Sequence, residues 1–317
     1  MKRIITLLSS LFLLIACTPY GVTKVNLNKA FRQKTAAKDL YARVDVLPIN
    51  LPTTVALPEV LRFEATDSLL FLLNDSSEQL VVLDTDGAFV TLISAGAPIE
   101  DFSAYGNQIL DVLCENEVKE YNLKDFSLIR TLSLPTDGVT LTELQRRDDA
   151  ALWFSGGKEG KAYDGEYLFA RDYFSMLENP YYTPDECGAF FRCNDSTFFF
   201  FSTGQIFAYS PSDFIYVPFT PDFGKYKPMV SAAQMTSDHL YMQMRLREQD
   251  MLLVYDRTGK QHRLFQITTE GLTFPLGVIR DGINYYFCPV RRLEEYVLPE
   301  TVTHSIDSEY ILLKYTL

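Results

Sequence analysis

"LVVLDTDGAFVTLIS", residues Leu80–Ser94, reads as two short apolar strands around a polar turn that holds a glycine. A similar phrase returns as "LLVYDRTGKQHRLFQI", Leu252–Ile267. Between these copies and beyond them the unit recurs, with a Leu or Tyr and then a polar residue where the first strand ends. The hits are Leu83-Asp84, Tyr121-Asn122, Tyr163-Asp164, Tyr209-Ser210 and Tyr255-Asp256, with Tyr315 as the last. Their steps are 38, 42, 46, 46 and 60 residues.

Each hit follows one physical logic. Asp, Asn or Ser caps the turn with its own side chain, and Gly or a neighbour takes the left-handed conformation. A further apolar strand pair precedes each hit, as in "DSLLFLLND" and "DSTFFFFSTG". The unit is therefore a small sheet that cannot bury both faces alone. A repeat near 40–50 residues matches a four-stranded propeller blade. The sequence predicts an all-β fold, a six-bladed β-propeller of residues 43–317. The last unit stops at Leu317 without a partner strand. Part of "VDVLPINLPTTVALPEVLRF", Val44–Phe63, is expected to supply it, so that an N-terminal strand closes the ring. The residues Phe (23) and Tyr (19) suit strands more than helices. Asn26–Arg43 is expected to be a short helix or a tether. Glu166–Tyr182 is expected to hold a short helical insertion.

The first residues give an address. Lys2 and Arg3 precede "IITLLSSLFLLIA", an apolar run too short to span a bilayer, which takes roughly 20 residues. The run ends Leu14-Ile15-Ala16-Cys17, which resembles a bacterial lipobox. That resemblance implies a signal peptide of residues 1–16, lipidation of Cys17, and a tether over 17–42. The formal charge of -12 becomes -14 once Lys2 and Arg3 are removed. No basic cluster able to neutralise a phosphate backbone remains, so nucleic acid is not an expected partner. An acidic surface also argues for a body held near the membrane by its lipid rather than lying on it.

Four further cysteines remain. Cys187 and Cys193 close "CGAFFRC" and either form a disulfide or stay as buried thiols. Cys114 and Cys288 sit inside apolar strands and read as core. His239, His262 and His304 are scattered, with no zinc-ligand spacing, so no metal or cofactor is expected.

Three features together resemble the six-bladed, TolB-like propeller lipoproteins of Bacteroidetes. They are the lipobox, the entry "LPINLPTTVALPEVLRFEATDSLLFLLN", and the loop "ISAGAPIEDF", Ile93–Phe102. In that loop Gly96, Pro98, Glu100 and Phe102 match the family pattern, while Ala95, Ala97 and an extra Asp101 depart from it. The resemblance implies fold and an outer-membrane address. "CTPYGVTKVN" carries no acidic residue after the Cys, which favours the periplasmic face over the cell surface.

Catalytic signatures are sparse. No G-x-S-x-G elbow and no Gly-rich phosphate cradle occur. Phe198–Phe201 reads as core, and Trp153 as a strand residue. Asp148-Asp149 reads as a solvated turn, and Arg291–Tyr296 as an exposed hairpin with local ion pairs. No catalytic residue is assigned. The expected function is a non-catalytic binding or scaffold lipoprotein whose partner is an envelope protein, a peptide or a glycan. The alternative is a propeller-fold lyase or hydrolase acting on glycans or lactones.

Overall fold

The computed structural model describes residues 27–317, apart from 56–59, 75–77, 116, 135–140, 142, 147–150, 157–158, 165–166, 171–186, 194–195, 202–205, 210–213, 216–228, 237, 270–271 and 297–306. Over 151–231 it describes the backbone alone. Six four-stranded antiparallel units follow one another among the described residues, with a two-stranded ladder, Thr268–Thr269 with Leu272–Thr273, between the fifth and the sixth. Sheet 1 is Val60–Ala65, Leu69–Asn74, Gln79–Asp84 and Phe89–Ser94. Sheet 2 is Ile99–Tyr105, Ile109–Cys114, Glu117–Asn122 and Leu128–Ser133. Sheet 3 is Glu143–Arg146, Ala151–Gly156, Glu159–Asp164 and Tyr167–Ala170. Sheet 4 is Cys187–Cys193, Ser196–Phe201, Ile206–Tyr209 and Phe214–Ile215. Sheet 5 is Met229–Met235, His239–Leu246, Gln249–Asp256 and Gln261–Gln266. Sheet 6 is Val278–Arg280, Ile283–Pro289 and Tyr310–Thr316, with Arg43–Ile49 as its outer strand.

The six sequence hits fall at the ends of the third strands of the six sheets. The capping logic holds in atomic detail. Asp84 Oδ1 accepts the Asp86 and Ala88 N–H groups at 2.9 and 2.8 Å. Asp256 Oδ1 accepts those of Thr258 and Gly259, both at 2.8 Å. Asn122 Oδ1 accepts that of Lys124 at 2.9 Å. Gly87 takes φ +84° in the first of these turns, and Lys260 takes φ 51° in the fifth.

In sheet 1 the second and third strands are continuously apolar because both faces are covered. Leu70–Leu73 and Leu80–Leu83 are all buried. The seams carry separate apolar clusters. Phe71, Val82, Phe102 and Val112 fill the seam of sheets 1 and 2. Leu70, Leu72, Tyr310 and Leu312 fill that of sheets 6 and 1. Phe265, Phe274, Ile311 and Tyr315 fill that of sheets 5 and 6. The first strand of each sheet lies against the first strand of the next, from sheet 1 to sheet 6, and that of sheet 6 lies against that of sheet 1.

The N-terminal strand is where the sequence puts it. Arg43–Ile49 pairs antiparallel with Tyr310–Thr316 through all seven residues. The residues before it are shaped by sheet 5. A short helix, Leu27–Arg32, buries Leu27 and Ala30, and Thr35–Ala36 adds a parallel strand against Phe265 and Gln266.

One expectation is corrected here. Arg291–Tyr296 is not a hairpin: Val290–Glu295 is a 3₁₀ turn that buries Leu293, with Tyr296 buried just beyond it. The ion pair expected there exists, Arg292 Nη2 to Glu295 Oε2 at 2.8 Å. Within Glu166–Tyr182, Tyr167–Ala170 is the last strand of sheet 3, paired with Lys161–Asp164. The remainder of that stretch lies outside the described residues.

Candidate functional site

A cavity of about 1540 Å³ opens where the first strands of sheets 1, 2, 5 and 6 converge. Arg62 and Glu64 face it from sheet 1, Tyr105 from sheet 2, Gln234 from sheet 5 and Arg280 from sheet 6. It extends between sheets 5 and 6, past Tyr241, Val254, His262 and Tyr286. His239 and His262, far apart in the sequence, therefore share one wall. Burial and the Lys29 charge lower the His262 pKa.

Gly277 lies where sheet 6 enters the cavity wall. A Cβ there would stand 1.9 Å from the Tyr285 carbonyl oxygen, so only glycine fits this approach. Its N–H donates to Asn284 Oδ1 at 2.8 Å, and Asn284 Nδ2 donates to the Pro275 carbonyl at 2.9 Å. Asn284 is fully buried and thus fixes the strand entry.

One mouth of the cavity is tied by Asp67. Its carboxylate accepts from Arg280 Nε at 2.9 Å and from Asn107 Nδ2 at 3.1 Å, linking sheets 6, 1 and 2. The Arg280 hydrogen bonds hold the Asp67 pKa below the usual carboxylate range.

From Arg62 and Glu64 on the sheet 1 wall a charge network runs into the interior. Arg62 Nη1 donates to Asp101 Oδ2 at 2.6 Å, and the Leu144 N–H reaches the same oxygen at 2.6 Å. The Ala104 N–H donates to Glu64 Oε2 at 2.7 Å. Arg146 grips Asp111 with Nε and Nη2 and reaches Glu120 Oε2 at 2.6 Å. Arg130 closes the set on Glu120 at 3.2 Å. Arg146 and Asp111 are 1% and 0% exposed, so the pair is dry. Burial raises Asp101 to about 7, against the pull of Arg62. Burial also raises the Glu64 and Asp111 carboxyls. The Arg146 pKa is raised by its bonds to Asp111 and Glu120, which outweigh desolvation.

The family-like loop feeds this network. Gly96 takes φ +73°, and Pro98 and Glu100 are exposed. Phe102 is fully buried, its ring 6.2 Å from Phe71 and 5.4 Å from the Arg62 guanidinium. Ile99 faces Cys114 and Asp101 faces Leu113, so Glu100 bulges out. A bulge absorbs one residue and re-aims its neighbour. The bulge at Glu100 thus leaves Asp101 buried, facing inward. Sequence reasoning missed the network itself. The available signal was a charged residue inside apolar strands, as in "ILDVLC" and "VKEYN".

The other singled-out residues are placed as follows. Cys114 and Cys288 are free and buried, with thiols pushed up to about 11 and about 12 by desolvation. Cys187 and Cys193 stand at opposite ends of one strand. An extended rise of about 3.3 Å per residue separates them by roughly 20 Å, where a disulfide spans under about 7 Å between Cα atoms. The small closed loop expected there is a strand instead. Trp153 pairs with Ala162, and Phe198–Phe201 lies in the second strand of sheet 4. Cys17, Asp148, Asp149 and His304 lie outside the described residues. Among the described residues no group of three His, Cys, Asp or Glu is placed to hold a metal ion. None of their helices is long and apolar enough to cross a membrane.

No family model and no curated protein matches the sequence. Solved structures do resemble the fold. One is a protein described as exported, from Bacteroides fragilis, at TM-score 0.62 and 14% identity, covering 89% of this chain and 96% of that one. Another is virginiamycin B lyase from Staphylococcus aureus in complex with quinupristin, at TM-score 0.53 and 11% identity, covering 87% and 100%. A third is the Cps50 (Swd1) β-propeller domain of Myceliophteria thermophila, at TM-score 0.50 and 8% identity, covering 83% and 98%. The fold is a β-propeller. At these identities the likeness speaks to fold alone.

Proposed function

We propose that this chain is a six-bladed propeller lipoprotein of the bacterial envelope, of the TolB-like kind found in Bacteroidetes, and that its central cavity holds a ligand without chemical change. The six sheets are read as six blades. Supporting this are the contacts of each first strand with the next, including sheet 6 with sheet 1, and the seven-residue pairing of Arg43–Ile49 with Tyr310–Thr316. The lipobox at Leu14–Cys17 supports the lipid anchor, and the likeness to an exported protein agrees with an envelope address. The outer membrane, periplasmic side, is the favoured location.

The observation that carries the binding reading is the cavity itself. Its volume, about 1540 Å³, exceeds the roughly 300–1,000 Å³ of a small-molecule pocket. That size fits an extended ligand, a peptide or glycan. The lining mixes rings that can stack with polar groups that can orient: Tyr105, Tyr241 and Tyr286 beside Gln234, His239 and Arg280. Arg62 and Arg280 are already bonded to Asp101 and Asp67, so the charged wall is preset rather than waiting for a counter-ion.

The test is an array of envelope glycans and peptides probed with the parent and with Gln234→Trp, which fills the cavity. Ligands held by the parent and lost by the variant support the reading. Equal retention by both overturns it. Conversion of a held ligand, read by mass spectrometry, would favour the lyase or hydrolase alternative, with His239 and His262 as first residues to replace. The anchor is tested separately, by fatty-acid labelling of the parent and of Cys17→Ala. Label on both would overturn it.

A further inference from the structure

The chain's acidic charge is unevenly spread. Residues 27–43 hold five cations, Lys29, Arg32, Lys34, Lys38 and Arg43, against the single carboxylate Asp39. The structure places the first four where the N-terminus docks on sheet 5, and Arg43, paired with Asp45, opens the outer strand of sheet 6. The Phe31 ring is half-buried between Lys34 Nζ, 4.3 Å from its centroid, and the Arg247 guanidinium, 5.0 Å away. Arg247 Nη2 also donates to Asn28 Oδ1 at 3.3 Å. Lys29 and Arg32 are exposed on the same six-residue helix, and Lys38 is exposed just beyond the parallel strand. Leu27, Ala30 and Ala37 are buried and hold this segment to the sheet.

We propose that this basic corner, Lys29, Arg32, Lys34 and Arg247 around Phe31, is the surface the protein lays against an anionic phospholipid leaflet. The inference rests on the lipid-anchor reading. Ten residues, 17–26, separate the lipidated Cys from Leu27, and their full extension is about 35 Å. The corner is therefore the part of the described chain nearest to the anchor in sequence and within its reach of the headgroups. Basic side chains within a Debye length of an anionic surface are drawn to it. An aromatic ring flanked by cations suits the headgroup level, where one end is apolar and the other wet. The rest of the molecule carries the acidic excess and is repelled. Opposed forces of this kind orient the body, which lies on the membrane by one corner only. The net charge of the whole chain conceals this surface.

The test uses the mature polypeptide, residues 17–317, bearing Cys17→Ala so that no lipid contributes. It is sedimented with vesicles of phosphatidylglycerol and phosphatidylcholine, or of phosphatidylcholine alone. The parent is expected to sediment with the anionic vesicles at low salt and to be released in 0.5 M salt. Neutralising one cation is expected to weaken the partition about fivefold. Lys29→Gln with Arg32→Gln should then weaken it about 25-fold, and both side chains are exposed, so the fold is kept. Lys29→Glu/Arg32→Glu/Lys34→Glu should abolish it, with a thermal melt as the check on folding. Equal binding to both vesicle types, no binding to either, or unchanged binding by the double Gln variant would overturn the proposal. A missing fatty-acid label would remove the anchor reading instead. An intact label with a failed vesicle result removes this surface alone.

Discussion

The seam joining sheets 1, 2 and 3 and the seam joining sheets 5 and 6 solve one packing problem with opposite chemistry. In the first, Arg62–Asp101 and Arg146–Asp111–Glu120 run through the interior beside apolar clusters around Phe71, Phe102 and Val112 and around Leu113, Val118 and Leu144. In the second, Phe265, Phe274, Tyr296, Ile311, Leu313 and Tyr315 pack without a buried ion pair among the described residues. The Phe274 ring meets Tyr315 at 4.8 Å and 63°, an edge-on contact that adds to its burial. Apolar contacts are non-directional, so the second seam tolerates the additions found there, the parallel strand Thr35–Ala36 and the ladder Thr268–Thr269 with Leu272–Thr273. A buried ion pair is directional: it fixes register between sheets, and it is costly if either partner is lost.

The largest effect expected is at the edge of the apolar side. Removing the chain through Ile49 exposes the Tyr310–Thr316 strand along its whole length and deletes the buried Ile49. Each ladder bond is worth about 0.5–1.5 kcal/mol net, so their sum approaches a typical stability of about 5–15 kcal/mol. Such a chain should aggregate or melt far below the parent, and a matching melting midpoint would mean the strand is dispensable.

Next come single changes in the two interiors. Arg146→Met should cost about 3–5 kcal/mol, because it strands Asp111 and Glu120 without their counter-charge. Phe274→Ala should cost a similar amount, about 3–5 kcal/mol, by leaving a cavity. The two separate on rescue. Adding Asp111→Leu and Glu120→Leu to Arg146→Met should recover stability, since a dry apolar replacement removes the desolvation cost. Denaturant melts of the triple variant no better than Arg146→Met would show that the network contributes more than charge balance.

This contrast also explains how much the sequence reveals. The turn caps at Asp84, Asn122 and Asp256 were legible because each side chain bonds its own turn within two to four residues, a local event. The pairing of Arg43–Ile49 with Tyr310–Thr316 was legible from a last unit that lacked a partner strand. The charge network was not. Its members sit on first, second, third and fourth strands of three sheets, and partners such as Arg146 and Asp111 are 35 residues apart. Alternating charge on a strand normally faces water, and only the sheet-to-sheet arrangement turns these residues inward. The cavity wall was hidden for the same reason, with His239 and His262 brought to one wall by strands on either side of Gln249–Asp256.

A smaller effect distinguishes the two seams by pH. The Asp101 carboxyl lies at about 7 in the fold, against about 3.9 when unfolded. Between those values the folded state holds a proton that the unfolded state has released. Stability therefore falls as pH rises from about 4 to about 7. Glu64 and Asp111 are raised by the same cause and act in the same direction. Asp101→Asn removes one titration, so its stability should fall less steeply over that range, though its absolute stability is lower without the Arg62 pair. Denaturant midpoints at pH 5, 6, 7 and 8 give both slopes, and parallel slopes would sink the assignment.

The smallest effect belongs to the bond that connects the two regions. Arg280 of sheet 6 holds Asp67 of sheet 1, and Asn107 of sheet 2 shares the same carboxylate. The geometry resembles the buried pairs, yet the setting differs: Arg280 is 43% exposed and Asp67 is 52% exposed. Water screens both charges, and two long side chains lose rotamer freedom to meet, so such pairs contribute about 0–1 kcal/mol. Arg280→Ala should therefore shift the melting midpoint little, and 0.5 M salt should shrink even that. The coupling with Asp67→Ala in a double-mutant cycle should stay within about 1 kcal/mol. A coupling as large as that expected at Arg146–Asp111 would mean this mouth excludes water. The difference between the two seams would then lie in charge content rather than in burial.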